Sequence, residues 1–215
     1  MTTTLYSYWR SSASWRVRIA LNLKGIAYEY APVHLVEDGG AQHSDAYRAL
    51  NPARLIPTLQ IDGHTFSESL AIIRYLEHTR PNPSLLPTDP ALATRAWQLA
   101  ELINAGMQPL QNLRVMQRLE EQFGIDKDGQ VAWSKHWIER GFEAAEAFLV
   151  GIHGVHCVSD DVTVADICLV PQVYNARRFG VDMRRFPHIL AAEASLSDLD
   201  AFERARPEIQ PDAVA

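Results

Sequence analysis

The 215-residue sequence predicts two modest domains, a small α/β domain with the order βαβαββα and then an all-α domain. Three observations predict this class. A strand, a helix and a second strand follow one another within residues 4–33, the length of a βαβ unit with parallel strands. Asp62-Gly63 between two short apolar runs predicts a β-hairpin. Beyond a cluster of prolines at 81–90, no strand pattern is strong enough to predict a sheet.

The first βαβ unit begins with a β-rich run that predicts a strand over residues 4–9. A helix is predicted over 12–24, because apolar residues recur on one face at i, i+3 and i+4, namely Val17, Ala20 and Leu21. Gly25 suits the position that follows a helix end. The aromatic, extended segment 27–33 predicts the second strand.

The rest of the first domain is predicted from turn residues and short periodic runs. Residues 37–42 are polar and contain two glycines, so they predict a loop. Ser44 begins a short helix to Leu50, and residues 57–61 and 64–66 form the two strands of the hairpin. Residues 69–80 predict the last helix of this domain.

Four prolines within residues 81–90 exclude a continuous helix and indicate an interdomain linker. We therefore expect one domain over residues 1–83 and a second over 91–215. Residues 91–123 predict a long helical stretch that Pro109 interrupts, with a kink or break near 105–109. Residues 127–151 predict another long helix.

A capping box begins the next helix of the second domain. Thr163 and Asp166 have its spacing, with Asp in place of Glu, and the helix is expected to reach about Arg178. Shorter helices are expected around residues 187–195 and 197–205.

Composition bounds the function. The net charge is −6, so nucleic acid and anionic membranes are not expected as partners. The first residues lack a charged region and a long apolar run, and no 18-residue apolar stretch occurs, so neither a signal peptide nor a membrane span is expected. Cys157 and Cys168 lie in apolar surroundings and are expected to be reduced. These features favour a cytoplasmic protein.

Other constellations were considered. His153, His156 and Cys157 lie close together, but no fourth ligand has a suitable spacing, so we expect no metal. Neither a Gly-x-Ser-x-Gly motif nor a Gly-rich phosphate loop occurs.

The hydroxyl cluster Ser11-Ser12 lies where the first strand gives way to the first helix. Serine is a favoured N-cap residue, so either one could simply cap the helix. The start of a helix also presents free backbone N–H groups and the positive end of the macrodipole. It can therefore hold an anion, and a thiolate is one candidate. The spacing alone leaves both interpretations open.

Several motifs in order resemble the zeta class of the cytosolic glutathione transferases, the maleylacetoacetate and maleylpyruvate isomerases. They are "SSASWRVRIALNLKG", "NPARLIPTL", "SESLAIIRYLEHTRP" and "LVPQVYNARRFGVD". The resemblance extends from Leu5 to the Gln210-Pro211-Asp212 tail. It implies a thioredoxin-like N-terminal domain, an all-helical C-terminal domain that carries the acid-substrate side of the site, a homodimer, and glutathione as cofactor.

The resemblance also implies roles for individual residues. Ser11 matches the position that holds the glutathione thiolate, with Ser12 beside it. The family usually has Cys where this chain has Ala13, so a mechanism that requires that Cys is in doubt here. The other positions implied to bind glutathione are Gln42, the cis-proline turn Ile56-Pro57, Glu68, Ser69, Gln108 and Asn112. The family often carries Gln in place of Glu68.

The implied reaction is the glutathione-dependent cis–trans isomerisation of maleylacetoacetate to fumarylacetoacetate in tyrosine or homogentisate catabolism. The thiolate adds to the double bond, the resulting single bond rotates, and elimination restores glutathione. The catalytic residues are expected to be Ser11, Ser12, Arg10 and Arg178. Arg10, Arg16 and Arg178 are candidates for binding the carboxylates of the keto-acid, because guanidinium groups pair with carboxylates bidentately.

Three alternatives remain open at this point. The substrate could be maleylpyruvate of gentisate catabolism, isomerised by the same mechanism. The protein could instead conjugate glutathione to α-halo acids or dehalogenate them. It could also be a non-catalytic glutathione-binding protein.

Overall fold

The computed structural model describes residues 2–152 and 154–214, which form two compact units. The first unit contains the residues up to Ser84 and the segment from Asp198 onward, and the second is Leu85–Ser197. The segment from Asp198 thus differs from the expected division, in which it belonged to the second domain. The physical reason is a set of hydrogen bonds to the first unit, among them one from Arg18 Nε to the Ala205 carbonyl oxygen at 3.0 Å.

The sheet of the first unit has four strands in the order β2-β1-β3-β4. They are β1 Thr4–Ser7, β2 Glu29–Pro32, β3 Thr58–Ile61 and β4 His64–Ser67. β1 and β2 are parallel, as the βαβ pattern predicts, and β1–β3 and β3–β4 are antiparallel. Leu5 in β1 lies opposite Tyr30 in β2 and Leu59 in β3, which fixes the register of the central strands. The predicted hairpin and βαβ unit are both confirmed.

Three helices pack with this sheet, α1 Ser12–Leu23, α2 Asp45–Leu50 and α3 Ser69–Thr79. Almost every residue of α1 from Ser14 to Leu21 is buried, including two arginines. Ser44 caps α2, because its side chain accepts the Tyr47 N–H at 3.2 Å. The predicted loop over residues 37–42 contains a short 3₁₀ turn, Glu37–Gly39, and most of a second, Ala41–His43, which extends one residue beyond it.

The helices of the second unit are α4 Pro90–Glu101, α5 Leu113–Phe123, α6 Lys127–Leu149, α7 Val164–Arg178 and α8 Pro187–Leu196. The segment that joins the first unit adds α9 Asp200–Glu203. The described part of the second unit contains no strand, as predicted. None of the described helices combines the length and the apolarity that crossing a membrane requires.

The predicted interruption before α5 is confirmed. After α4 the chain winds as a π-helix over Leu102–Met107 and as a 3₁₀ helix over Gln108–Gln111. Pro109 cannot donate a backbone hydrogen bond, which favours a change of winding. Gly141 of α6 lies against this segment, since a Cβ there would come within 2.2 Å of the Met107 side chain. The close approach therefore requires glycine.

The predicted capping box begins α7. The Asp166 carboxylate is fully buried and accepts the backbone N–H of Thr163 at 2.7 Å and its hydroxyl at 2.8 Å. It also accepts the Cys157 N–H at 2.9 Å, so it joins the preceding loop to the helix. The linker is also hydrogen bonded to the start of α7, because the Val164 N–H donates to the Leu85 carbonyl oxygen at 2.9 Å.

We expect Asp166→Ala to lower the free energy of unfolding by about 3 kcal/mol, because it leaves several buried donors without an acceptor. Asp126→Ala is the matched control. Asp126 caps α6, because its Oδ1 accepts the Gly129 N–H at 2.8 Å. Since Asp126 is exposed, its loss should lower the free energy of unfolding by only about 1 kcal/mol. Urea unfolding of both variants measures the difference, and equal losses would contradict this account of Asp166.

Candidate active site

The start of α1 is built around Ser11, which is its N-cap. The Ser11 Oγ accepts the Ser14 N–H at 3.2 Å, and the Ser11 N–H donates to the Tyr8 carbonyl oxygen at 3.0 Å. Since one lone pair of the Oγ is used inside the helix, the hydroxyl proton can be donated elsewhere. Capping and anion binding, the two interpretations that the spacing left open, are therefore compatible at this residue.

The backbone adds to this arrangement. The N–H groups of the first turn of a helix have no acceptor within the helix, and those of Ser12 and Ala13 belong to this turn. The helix dipole places partial positive charge at the same point. The Ser12 side chain is buried beside them. This helix start can hold a thiolate without a formal cation, and such positions lower thiol pKa values.

A second buried hydroxyl begins α3. The Ser69 Oγ accepts a hydrogen bond from Arg16 Nη1 at 3.3 Å, and both side chains are buried. The guanidinium occupies an acceptor position of this hydroxyl, so its proton can be donated to another acceptor. A carboxylate is a suitable acceptor at a helix N-terminus.

Glu68, which precedes Ser69, has an unusual backbone conformation. Its φ is +67°, in the left-handed region that few residues other than glycine adopt, and its side chain is exposed. A residue other than glycine in such a conformation costs of order 1–3 kcal/mol, and strain of this kind is concentrated at functional sites. The strain supports a binding role for the start of α3.

The position of Arg16 differs from the one expected of a substrate ligand. Its side chain is fully buried in α1, where Nη1 is hydrogen bonded to Ser69. The guanidinium therefore acts on the Ser69 hydroxyl, whereas a carboxylate clamp needs access to the substrate. Arg10 is half-buried, with its guanidinium 5.2 Å from the centroid of the Trp9 ring.

Three further predicted residues lie in the first unit. The Ile56–Pro57 peptide bond is cis, as the resemblance predicts, and directly precedes β3. Gln42 is buried, and its Nε2 donates to the Leu35 carbonyl oxygen at 3.2 Å. Its Oε1 accepts no hydrogen bond within the described residues, so it can receive a ligand N–H. Gly40, with φ +93°, is required here, because a Cβ would lie 2.4 Å from Gln42 Nε2.

The remaining predicted residues belong to the second unit. Arg178 is exposed at the end of α7, with its guanidinium 4.4 Å from the centroid of the Phe179 ring. Gln108 is half-buried at the start of its 3₁₀ helix. Asn112 caps α5, since its Oδ1 accepts the Arg114 N–H at 3.2 Å.

Arg177, which precedes Arg178 in α7, forms an ion pair. The Arg177 guanidinium is paired with the Glu193 carboxylate, and the hydrogen bonds to Glu193 raise its pKa above the ordinary value. An exposed ion pair of this kind is the commonest role of a surface arginine and contributes little to stability.

The sequence also contains candidate metal ligands and two cysteines. His153 lies outside the described residues; among the others, no group of three or more His, Cys, Asp and Glu could hold a metal ion. Cys157 and Cys168 are reduced and buried. Burial, and then the nearby Asp166 carboxylate, raise the pKa of Cys157 well above its ordinary value.

The sequence analysis missed two residues next to the α1 start, Arg18 and Asp212. Arg18 Nη2 donates to the Trp9 carbonyl oxygen at 2.9 Å, and Asp212 Oδ2 accepts the Trp9 N–H at 3.0 Å. One signal was available for Arg18. Arg16 and Arg18 are the only charged residues in α1, and the residues around them from Ser14 to Leu21 are otherwise apolar or small. Nothing local indicates Asp212, which is 203 residues from Trp9.

The chain is similar to proteins of a known family. A family model described as the glutathione S-transferase N-terminal domain matches residues 5–84. A Drosophila melanogaster protein named probable maleylacetoacetate isomerase 2 is 50% identical over 208 residues, which covers 97% of this chain and 89% of the relative.

Two solved structures are also similar to the chain. The holo structure of a bacterial maleylpyruvate isomerase, described as a zeta-class glutathione S-transferase, has a TM-score of 0.95 at 43% identity and covers 98% of this chain and 100% of its own. The maleylacetoacetate isomerase from Methylobacterium extorquens AM1, with bound malonate and glutathione, has a TM-score of 0.94 at 37% identity. It covers 99% of this chain and 100% of its own.

The buried cysteines and Ala13 generate a prediction about thiol reagents. The native protein is expected not to react quickly with a chromogenic disulfide reagent at neutral pH. Both thiols are buried away from the reagent, and the raised pKa of Cys157 leaves it little thiolate. Both cysteines should react after unfolding in guanidinium. A fast-reacting thiol in the native protein would contradict this prediction.

Proposed function

The chain belongs to the zeta-class glutathione transferases, and from this premise we propose that it isomerises maleylacetoacetate to fumarylacetoacetate with glutathione as cofactor. Tyrosine or homogentisate catabolism is the pathway that uses this step. Maleylpyruvate is the alternative substrate, because the bacterial maleylpyruvate isomerase has a TM-score of 0.95 to this chain.

The observation that carries the proposal is that two hydroxyl groups each accept a hydrogen bond from inside the protein. The Ser11 Oγ accepts from the Ser14 N–H, and the Ser69 Oγ accepts from Arg16. Each hydroxyl can therefore donate its proton, and each stands at the start of a helix. Two donors with helix dipoles behind them suit a ligand with two anionic groups, such as a thiolate and a carboxylate.

Glutathione fits the remaining groups as well. We assign its thiolate to Ser11 and Ser12, its γ-glutamyl carboxylate to Ser69 and its ammonium to Glu68. The backbone of Ile56, before Pro57, would pair with the cysteinyl unit as an added strand. The buried acceptor of Gln42 suits the peptide N–H of the glycyl end. Gln108 and Asn112 of the second unit are further proposed contacts.

When bound, glutathione supplies the nucleophilic thiolate that makes the cis double bond rotatable. The chain's own task is to keep that sulfur deprotonated near neutral pH. Ser11 would do this by donating a hydrogen bond from its hydroxyl group to the thiolate, with the proton staying on the oxygen. The start of α1 adds backbone donors and partial positive charge. The reaction as proposed needs no general acid or base, so hydroxyl groups and arginines suffice.

The carboxylates of the substrate need cations to bind them. These cations must leave room for rotation about the former double bond. Arg10 and Arg178 are the proposed ligands, because bidentate pairing with guanidinium groups holds a carboxylate in one orientation. Arg16, expected at first to join them, is instead assigned to orient the Ser69 hydroxyl, in line with its burial.

Three broader features complete the proposal. The N-terminal domain binds glutathione and the helical domain supplies Arg178 for the acid substrate. The family resemblance supports a homodimer, which light scattering after size-exclusion chromatography tests. The reduced state of Cys157 and Cys168 supports a cytoplasmic location.

The central test compares two N-cap variants. Ser11→Ala should lower the rate of glutathione-dependent isomerisation roughly 100-fold, the effect typical of losing one donor to a developing or stabilised anion. Ser44→Ala is the control, because Ser44 caps α2 with the same 3.2 Å bond and should lose similar stability without losing activity. Absorbance-followed assays on maleylacetoacetate and maleylpyruvate, with and without glutathione, measure the rates.

The preferred substrate in these assays distinguishes the two keto-acids. If neither turns over while glutathione binds, the isomerase proposal is rejected, and conjugation, dehalogenation of α-halo acids or simple binding takes its place. Equal activity of the two variants would reject the role of Ser11 alone.

A second prediction concerns the paired arginines at the end of α7. Arg178→Ala should raise the KM for the keto-acid roughly 10- to 100-fold, the cost of losing hydrogen bonds to a charged group, and leave glutathione affinity unchanged. Arg177→Ala should change neither, because Arg177 is engaged by Glu193. Steady-state kinetics and calorimetric glutathione titration check both variants, and an equal effect of the two would contradict the assignment.

A further inference from the structure

The loop before Ser11 is held at one residue from both sides. The Trp9 N–H donates to Asp212 Oδ2 at 3.0 Å, and the Trp9 carbonyl oxygen accepts from Arg18 Nη2 at 2.9 Å. Trp9 is buried and lies two residues before the N-cap. These two contacts fix the peptide groups on either side of Trp9, and with them the path by which the chain enters α1.

The acceptor at this loop comes from the last part of the chain, which is itself firmly anchored. Arg18 Nε donates to the Ala205 carbonyl oxygen at 3.0 Å, and the side chains of Phe202 and Ala205 are buried. Gln210 Nε2 donates to the carbonyl oxygens of Arg204 and Arg206 at 3.1 and 2.7 Å. The segment that presents Asp212 is therefore folded against the first unit.

Arg18 serves as a rigid fork of donors. It is fully buried, and the hydrogen bonds described for it end on neutral oxygens of Ser7, Tyr8, Trp9 and Ala205. Burial lowers the pKa of Arg18 to about 10, so it stays protonated at neutral pH. A planar guanidinium with several fixed donors orders the carbonyl groups around it.

Asp212 links this loop to β2 as well. Its Oδ1 accepts the Tyr30 hydroxyl at 2.6 Å, while Oδ2 holds Trp9. The carboxylate thus joins a strand to the loop that carries Arg10 and Ser11. The position of Arg10 also depends on Trp9, because the Arg10 guanidinium lies over the Trp9 ring.

We propose that Asp212 and Arg18 are positioning residues for Ser11, so that the end of the chain sets how strongly the α1 start stabilises the glutathione thiolate. The inference rests on the proposed function, because it assigns the support of the same thiolate site. Neither residue is assigned a contact with glutathione. They act by fixing Trp9, whose displacement would move the Ser11 cap and the Arg10 guanidinium together.

A purely structural role for the tail makes a different prediction. If Asp212 only staples the segment to the first unit, its loss lowers stability and affects every property of the site in parallel. If it positions Ser11, its loss raises the pKa of the bound glutathione thiol and lowers kcat, while the KM for glutathione changes little. Most of the proposed glutathione contacts, those at Ser69, Gln42 and Ile56, lie outside the loop.

The experiment uses the full-length chain with three variants. Asp212→Ala removes both acceptors, and Asp212→Asn keeps a side-chain oxygen for the Trp9 N–H. Asp200→Asn is the matched control, because Asp200 lies in the same segment but pairs with Arg204 in an exposed ion pair. For each, the pKa of bound glutathione is read from thiolate absorbance, and kcat and KM are measured with the preferred keto-acid.

We expect Asp212→Ala to raise the thiol pKa by about one unit and to lower kcat at neutral pH roughly tenfold, with less than about a twofold change in the KM for glutathione. Asp212→Asn should recover part of both losses, and the control should match wild type. A thiol pKa in both Asp212 variants equal to that of the control would overturn the inference, as would parallel losses without a pKa change.

If Asp212→Ala does not fold, Tyr30→Phe carries the same test, since it removes one of the two groups that orient the carboxylate. A raised thiol pKa supports the inference, and an unchanged one overturns it. Wild-type protein that neither binds glutathione nor isomerises a keto-acid would reject the proposed function itself. Normal wild-type activity with unaltered variants rejects only the role of the tail.

Discussion

The hydrogen bond from the Ser14 N–H to the Ser11 Oγ is the interaction on which the account of the site depends. It fixes where α1 begins, and it leaves the Ser11 proton as the group that can be donated outward. The same logic applies to Ser69, whose acceptor position is taken by Arg16. In both cases a donor inside the protein occupies an acceptor position of a hydroxyl at the start of a helix. The hydroxyl is then available to donate a hydrogen bond, and an anion is a suitable acceptor there.

Two buried arginines make α1 the centre of the first unit. Arg16 joins it to the start of α3, and Arg18 joins it to the loop before Ser11 and to the last segment of the chain. Burying a guanidinium is costly unless its donors are satisfied, and the oxygens of Ser7, Tyr8, Trp9 and Ala205 accept hydrogen bonds from Arg18. Hydrogen bonds thereby connect α1, which carries the proposed thiolate site, to the start of α3, to the loop before Ser11 and to the last segment.

Much of this fold could be predicted from the sequence, because its signals are local. Asp62-Gly63, the Ser11 and Ser44 caps and the Thr163/Asp166 capping box each act within a few residues, and all are found as predicted. The burial of Arg16, the contact of Asp212 with Trp9 and the packing of the segment from Asp198 depend on residues far apart in the chain. Such contacts leave no periodic pattern, which is why Arg16 was first expected to bind substrate.

The most direct test of the central claim is a pH titration of glutathione bound to the wild-type protein, followed by the absorbance of its thiolate. We expect an apparent pKa at least about one unit below the value of roughly 8.5 for an unperturbed cysteine thiol, because Ser11 and the start of α1 stabilise the charged form. A bound thiol that keeps its ordinary pKa would contradict the claim that this helix start holds a thiolate.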